Sequence, residues 1–458
     1  MLANLFQNKE FFRRLLTLAT PIAIQNLITF SLGAVDMAMI GQLGDKAVAA
    51  VGLADQVFFL VVLMMFGIAS GAAVFTAQYW GKQDLAGIHR VLSLCLMMGG
   101  LGSLIFLGAA VFAPEWILSI YTTDAEVIAL GSEYLRVVGW SYLATAVAVS
   151  YVFLLRSVES VKLPMVVGAI VLIFNTTFNY LLIFGHFGFP ELGVTGAAIA
   201  TCLARFLEPI MLVAFIYRHN LALAAPLRVL LKIDWQFLPK FLKTALPVVL
   251  TEVAWSLGIT TYAIIYARIS TESIAAVNIV ITIERMAFVV FLAMANASAI
   301  MIGNRIGAGD IEQAVLYAKR FLILGLLGSI PIGLLEVSAG IPFLRVYQIS
   351  ETVTDYATIL LILAALVLPF KVSALMLFVG VLRSGGDTRF SMFVDGGTIW
   401  LVGVPLAWLG AFVLGLPVYW VYLMVVTEEL VKVSIALRRF LKGAWIHHLA
   451  EPEPVRVG

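Results

Sequence analysis

Apolar segments of twenty or more residues recur along almost the whole length of this chain. Such segments are long enough to cross a bilayer as α-helices, because a helix rises about 1.5 Å per residue and the hydrocarbon core is about 30 Å thick. The composition agrees, since 62% of the 458 residues are hydrophobic and only 12% are charged, about half the charge of a soluble protein. The sequence therefore predicts an all-α, polytopic membrane protein.

The hydropathy pattern predicts twelve transmembrane helices, at approximately 15–40, 47–78, 86–112, 127–156, 162–185, 192–217, 240–267, 273–303, 314–340, 354–383, 390–412 and 416–441. The connections are short except at 218–239, which we predict to be an amphipathic linker on the membrane surface. Lys and Arg are concentrated in alternate connections, for example at Lys82 and Arg90 and again at Lys319 and Arg320. By the positive-inside rule, this bias places both termini and the linker in the cytoplasm.

The chain is also duplicated. Shifting it by 226 residues against itself aligns Ala19 with Ala245, Pro21 with Pro247, Gly81 with Gly307 and Asp84 with Asp310, and a shift of 227 later aligns Leu155, Arg156 and Ser157 with Leu382, Arg383 and Ser384. Six spans per repeat give both halves the same orientation. The sequence thus predicts two pseudo-symmetric six-helix lobes, 1–217 and 240–441, with a linker at 218–239 and a cytoplasmic tail at 442–458. Parallel repeats of this kind suit alternating access.

Asp36 is the residue of the first span that most needs an explanation. A carboxylate within a spanning helix is costly unless it faces a cavity or a partner, so its default interpretation is an ion or proton site. Span five carries Asn175 and Asn179 four residues apart and therefore on one helix face, and span six carries Ala197 and Thr201 in the same spacing. We expect these residues to gather around Asp36.

Together they would supply one carboxylate, two amide oxygens, a hydroxyl group and a backbone carbonyl. Hard oxygen ligands with one formal charge suit a monovalent cation. Asp36, Asn175, Asn179 and Thr201 are therefore candidate ligands of Na⁺. Protonation of Asp36 is a second mechanism, in which the carboxylate exchanges H⁺ for Na⁺ or for a cationic substrate. A third interpretation is that the asparagines only join helices through hydrogen bonds.

The second half does not repeat these polar residues, because Asp36 aligns with Tyr262 and Thr201 with Glu428. Its own intramembrane charges include three candidates for a second-lobe site: Glu252, Glu284 and Lys371. We expect Glu252 and Lys371 to form a buried pair, which would be structural or act as a gate. Glu428, Glu429 and Lys432 are expected to be structural.

Several motifs resemble those of the multidrug and toxic compound extrusion (MATE) family. They are Pro21 and Asp36 followed by MIGQLG, AQYWGKQD after span two with its counterpart IGNRIGAGD, and LRSGGDT after span ten. The resemblance covers essentially the whole chain. It implies a multi-pass antiporter of the inner (plasma) membrane that expels organic cations and other amphipathic drugs against an inward Na⁺ or H⁺ gradient. It also implies a hinge at Pro21 and a cation site in the first lobe at Asp36, Asn175, Asn179, Ala197 and Thr201.

One departure from the family is visible in span ten. One branch of the family has an acidic residue eleven positions before the Arg of its Leu-Arg pair, and here that position is Val372. The resemblance therefore favours the first lobe as the site of coupling. We expect no cofactor, no catalytic residue and no nucleic-acid partner; the expected partners are drugs and membrane lipids, and the expected oligomeric state is a monomer.

Two other functions fit a chain of this composition. A lipid-linked oligosaccharide flippase of the same superfamily would share the fold, but more basic residues would be expected in its cavity to bind a pyrophosphate. A membrane-embedded acyl- or glycosyltransferase would need His, Asp or Glu clustered at a membrane face, and the sequence has no such cluster.

Overall fold

The computed structural model describes residues 8–344 and 349–450, and within these ranges the chain is almost entirely helical. The last eight residues of the predicted tail lie outside the described residues. The first half contains six long helices: α1 (Lys9–Ile40), α2 (Asp45–Lys82), α3 (Leu85–Phe112), α4 in two parts (Ala125–Gly139 and Ser141–Ser157), α5 (Lys162–Phe184) and α6 (Gly193–Arg218). Short helices at Pro114–Ser119 and Leu227–Leu231 lie in the connections, the second of them within the predicted linker.

The second half repeats this order. Its helices are α7 (Leu238–Ile269), α8 (Thr271–Gly307), α9 (Ile311–Leu344), α10 (Glu351–Leu382), α11 (Thr388–Val413) and α12 (Val418–Leu441). Each predicted span overlaps one of the twelve long helices of the described residues, so the prediction of a twelve-helix polytopic fold is confirmed.

Most of these helices are long and apolar enough to cross a membrane. Ten meet this condition alone, and the two parts of α4 meet it together, while α12 has a more charged sequence. Large apolar side chains are exposed on the outside of several helices, including Ile105 at 73%, Leu334 at 68% and Leu401 at 80%. A soluble protein rarely exposes such surfaces, whereas lipid covers them in a membrane protein.

The turns that follow α2 and α8 show how the duplicated motifs act. Each helix ends before a residue in the left-handed region, Gln83 with φ 62° and Gly309 with φ 77°. The next residue is then an N-cap: Asp84 accepts a hydrogen bond from the backbone N–H of Gly87 at 2.9 Å, and Asp310 accepts one from Gln313 at 3.2 Å. A left-handed residue at or just after the C-cap, followed by an Asp N-cap, reverses the chain tightly. AQYWGKQD and IGNRIGAGD are therefore turn motifs with the same local structure.

Two helices depart from regular geometry. The two parts of α4 meet at an angle of 50° around Gly139 and Ser141, a pair of residue types that commonly kinks helices. The end of α10 and much of α11 contain wider π-helical turns, at Met376–Leu382, Met392–Gly396, Ile399–Gly403 and Leu409–Val413. Such turns often mark functional positions.

The described residues form two compact units, and both unit boundaries fall beside a proline. One unit is Ile24–Ala245, and the other comprises the remaining described residues. The first boundary lies just after Pro21 within α1, and the second lies just before Pro247 within α7. Each proline removes a backbone hydrogen bond of its helix. The two repeat-related prolines thus lie where α1 and α7 pass from one unit to the other.

Candidate functional site

Asp36 lies beside the two asparagines of α5. Asn179 Nδ2 donates a hydrogen bond to Asp36 Oδ1 at 2.5 Å and another to Asn175 Oδ1 at 3.1 Å. Both asparagine side chains are fully buried. The four-residue spacing on α5 stacks the two amides on the face that meets α1, so the structure brings together these three predicted site residues.

Ala197 and Thr201 lie on α6, which packs closely against α5. Both residues are buried, and a Cβ atom added at Gly196 would lie only 2.3 Å from the carbonyl oxygen of Leu182. Glycine at this position therefore permits the close approach of the two helices. All five predicted residues lie in the same compact unit, but no hydrogen bond joins Thr201 to Asp36 within the described residues.

Two atoms of the asparagine pair have no hydrogen-bonding partner in the described part of the chain. They are Asn175 Nδ2 and Asn179 Oδ1, both buried. Buried amide atoms are nearly always paired, so each unpaired atom needs an explanation. A free amide oxygen next to a carboxylate is a suitable donor set for a hard monovalent cation or a cationic ligand group.

Two further charges act on Asp36 that the sequence analysis missed. Arg205 of α6 and Asp55 of α2 both interact electrostatically with Asp36. The guanidinium carbon of Arg205 lies 3.5 Å above the ring of Phe58, and its Nη1 donates to Ser141 Oγ at 3.2 Å. Asp55 lies within span two and Arg205 within span six, so both could have been predicted as functional residues by the reasoning that was applied to Asp36.

The charges of the groups that are electrostatically coupled to Asp36, directly or through Arg205, do not cancel. Arg205 and Arg156 both act on Glu208, and Arg205 also acts on Asp36 and Asp55. When all of these groups are ionised, three carboxylates face two guanidinium groups, and one negative charge remains. One monovalent cation or one proton would neutralise it.

The second half contains a different buried network. Tyr262 Oη donates to Glu428 Oε2 at 2.5 Å. Lys432 Nζ lies 3.0 Å from Glu428, 3.2 Å from Asp395 and 3.2 Å from Glu429. The counterparts of Asp36 and Thr201 therefore form a direct hydrogen bond, and a lysine ammonium group supplies the positive charge.

The predicted pair of Glu252 and Lys371 is wrong. Lys371 Nζ donates to Glu284 Oε1 at 2.5 Å and to Tyr422 Oη at 3.0 Å, whereas Arg383 Nη2 donates to Glu252 Oε1 at 2.9 Å. All three second-lobe candidates are thus paired, but in two separate pairs. Partner choice depends on how neighbouring helices are rotated, which the sequence pattern did not reveal.

The pair of Arg383 and Glu252 repeats an arrangement of the first half. Arg156, the counterpart of Arg383, donates to Gln25 Oε1 at 2.7 Å and lies 3.5 Å from Asn26 Oδ1. Asn26 is the residue that aligns with Glu252. In each half, the arginine of the Leu-Arg motif therefore binds the first helix of the repeat.

The LRSGGDT motif also holds the tail. Arg439 Nε donates to Asp387 Oδ2 at 2.8 Å, and His447 Nε2 lies 3.5 Å from Asp387 Oδ1. The backbone N–H of His447 donates to the carbonyl oxygen of Gly385 at 2.8 Å. Burial raises the pKa of Asp387, but the hydrogen bonds and positive charges of His447 and Arg439 outweigh it and hold that pKa below its usual range.

These observations define a multi-pass, duplicated twelve-helix membrane protein with a buried carboxylate–amide cluster in its first half. Comparison with known proteins agrees with this class: the MatE family model matches residues 21–181 and 247–409. The chain belongs to the MatE family and is a MATE family efflux transporter.

Its relatives cover nearly its whole length. A Thermotoga maritima protein named "Probable multidrug resistance protein NorM" is 25% identical over 452 residues, which are 95% of this chain and 93% of that protein. The Bacillus subtilis "Uncharacterized transporter YisQ" is 26% identical over 94% of both chains. The crystal structure of the Vibrio cholerae MATE transporter VcmN in the bent form has a TM-score of 0.86 at 19% identity, over 96% of this chain and 99% of that chain, and shares the fold.

Proposed function

We propose that this chain is a cation-coupled antiporter that exports organic cations or other amphipathic drugs by alternating access. The observation that carries the proposal is the buried cluster of Asp36, Asn179 and Asn175, with its unpaired amide oxygen. Relatives named as probable multidrug resistance proteins support drugs as the substrate class. The coupling ion is Na⁺ or H⁺.

The cluster couples ion and drug through the charge of Asp36. An ionised carboxylate in a membrane-spanning segment requires compensation, which a cation or a proton supplies. Asn179 donates to Asp36 and so orients its carboxylate, and the free Asn179 Oδ1 is a ligand for Na⁺, together with Asn175 and Thr201. Release of the cation leaves a charge that attracts a cationic drug, and each ligand thereby favours release of the other.

The single uncompensated negative charge of these coupled groups in the first half supports a monovalent ion. Two guanidinium groups already balance two of the three electrostatically coupled carboxylates, so a divalent ion would leave an excess positive charge. We assign Ala197 a packing role, because it is buried in the apolar cluster that also contains Ile183 of α5.

The second-lobe candidates serve a different role in this proposal. Glu252 and Arg383 form one pair, and Glu284 and Lys371 form another, so their charges are compensated without an ion from solution. We therefore assign coupling to the first lobe, 1–217. The second lobe, 240–441, moves with respect to it during transport, with Pro21 as the hinge and both termini in the cytoplasm.

A lipid-linked oligosaccharide flippase is less well supported. Recognition of a pyrophosphate requires cationic groups that are free to bind it. Lys371, Arg383 and Lys432 each pair with a carboxylate within the fold, and Arg205 acts on Asp36 and Asp55.

The test is efflux of a fluorescent organic cation from proteoliposomes, with a Na⁺ gradient and a pH gradient imposed separately. We expect one gradient to drive efflux by the wild type and Asp36→Asn to abolish it, with the effective gradient identifying the ion. Asp45→Asn is the matched control, because Asp45 is exposed at the start of α2 and should keep wild-type efflux.

Two results would contradict the proposal. Absence of efflux under either gradient would count against drug export, and lipid flipping would then be the next assay. Efflux that survives Asp36→Asn would retain the function but remove the proposed site.

A further inference from the structure

One buried carboxyl group of the second half has no hydrogen-bonding partner within the described residues. Glu336 is 5% exposed, and neither Oε1 nor Oε2 takes part in a hydrogen bond. It belongs to a buried stripe that follows α9 at intervals of three and four residues: Ser329, Gly333, Glu336, Gly340 and Leu344. A carboxyl group on the buried face of a spanning helix costs free energy, so packing alone does not explain it.

The stripe faces α8 and α10 at close range. A Cβ atom at Gly333 would lie 3.0 Å from the carbonyl oxygen of Ala365 in α10, and one at Gly340 would lie 3.5 Å from Ile283 in α8. Glu336 lies between these two glycines on the same stripe. Its side chain is therefore enclosed where three helices meet.

Three titratable groups interact with Glu336, each from a different helix: Glu284 of α8, Lys371 of α10 and Tyr422 of α12. Lys371 already donates to Glu284 at 2.5 Å and to Tyr422 at 3.0 Å. One ammonium group thus faces two carboxyl groups. If both carboxyl groups were ionised, Glu336 would be a buried anion with neither a hydrogen-bond donor nor a counter-ion of its own, which is strongly unfavourable.

We propose that Glu336 is a proton-binding site, which carries a proton while Lys371 is paired with Glu284. A proton needs one oxygen atom, whereas a metal cation needs several oxygen ligands at once, and among the described residues neither carboxyl oxygen of Glu336 takes part in a hydrogen bond. When the proton leaves Glu336 for water, Lys371 is the shared counter-ion that compensates the new charge. The inference requires only the fold and is independent of the proposed function.

Infrared spectroscopy of the full-length protein in lipid bilayers tests this directly, because protonated carboxyl groups and carboxylates absorb at separate positions. At neutral pH, we expect Glu336→Gln to lose one protonated-carboxyl component that the wild type shows. Glu312→Gln is the control on the same helix: Glu312 is exposed at the start of α9, so its loss should remove carboxylate absorption only. Lys371→Met should add a protonated-carboxyl component, because Glu284 loses its partner.

Three outcomes would overturn the proposal. The first is that Glu336→Gln removes carboxylate absorption instead, which would show an ionised Glu336. The second is that Na⁺ at fixed pH removes the wild-type component that depends on Glu336, which would identify a metal-cation site. The third is that Glu336→Gln does not fold, because a neutral amide of the same shape should replace a protonated carboxyl group. None of these measurements involves transport, so they stand apart from the test of drug efflux.

Discussion

Tyr262 donates a hydrogen bond of 2.5 Å to Glu428, and these two residues align with Asp36 and Thr201 of the first half. The same positions of the repeat therefore hold a neutral donor and a carboxylate in one half, and a carboxylate and a hydroxyl group in the other. Lys432 lies 3.0 Å from Glu428 and provides a cation that belongs to the chain. The duplication preserved the helices and their turns, while the polar chemistry of the two halves diverged.

Gly403 makes room for the pair of Tyr262 and Glu428. A Cβ atom at this position would lie 1.8 Å from Tyr262 Oη and 2.4 Å from Glu428 Oε2. We expect Gly403→Ala to displace both groups and to lower the free energy of unfolding by about 1 to 3 kcal/mol. Thermal unfolding in detergent is the measurement. Gly397→Ala on the same helix is the control, since nothing lies within 4 Å of its added Cβ atom, and equal effects of the two variants would refute the steric explanation.

Asn179 should determine how tightly the first-half site binds the coupling cation. Its Nδ2 donates to both Asp36 and Asn175, so Asn179→Ala removes the group that orients the carboxylate and a candidate ligand oxygen. We expect the concentration of coupling cation that gives half-maximal efflux to rise by roughly 10- to 100-fold. Thr177→Ala on the same helix is the control, because the Thr177 hydroxyl is exposed and donates to the backbone carbonyl of Ile173. An unchanged cation dependence in Asn179→Ala would exclude this residue from the site.

Glu252 should be required for stability rather than for coupling. Glu252→Ala leaves the Arg383 guanidinium group, whose side chain is 6% exposed, without its carboxylate. Loss of one partner from a buried pair costs about 3 to 5 kcal/mol, so the unfolding temperature should fall sharply. Glu252→Gln should cost less, because Arg156 binds an amide oxygen of Gln25 in the first half.

Glu191→Ala, at an exposed glutamate between α5 and α6, is the control for this series and should leave the unfolding temperature unchanged. If Glu252→Gln abolished efflux while the unfolding temperature stayed at the wild-type value, the structural assignment would be wrong.

The docking of the tail on Asp387 should depend on pH. His447 and Arg439 hold the pKa of Asp387 in the folded protein below its usual range. The ionised Asp387 carboxylate therefore contributes fully to stability above the unfolded pKa of about 3.9. This contribution is lost as the pH falls through the folded pKa. Asp387→Asn should remove this contribution at neutral pH. We expect exchange of the His447 backbone amide, which donates to Gly385, to accelerate by about two- to tenfold.

Hydrogen exchange followed by mass spectrometry measures this effect at the tail residues 442–450. Asp355→Asn, at an exposed residue of α10, should leave the exchange of the tail unchanged. Equal exchange in Asp387→Asn and the wild type would show that the backbone contacts hold the tail without the carboxylate.

Most of the membrane topology was predictable from the sequence, and so was the central part of the candidate site. Hydropathy located the spans, and the four-residue spacing of Asn175 and Asn179 placed both amides on the helix face that meets Asp36. The charge partners were less predictable. Glu252 was expected to bind Lys371 but binds Arg383, and Asp55, Arg205 and Glu336 were not recognised.

The sequence by itself determined the class of protein, the number of spans, the duplication and the residues whose charge or amide group demands a partner in the membrane. These properties follow from local chemistry, because the transfer free energy of a segment and the face on which a side chain lies depend only on nearby residues. The tertiary structure alone decided which helices meet and therefore which groups pair. Helix rotation and register join residues more than a hundred positions apart, such as Asp36 and Asn179, and they left Glu336 without a hydrogen-bonding partner in the described part of the fold.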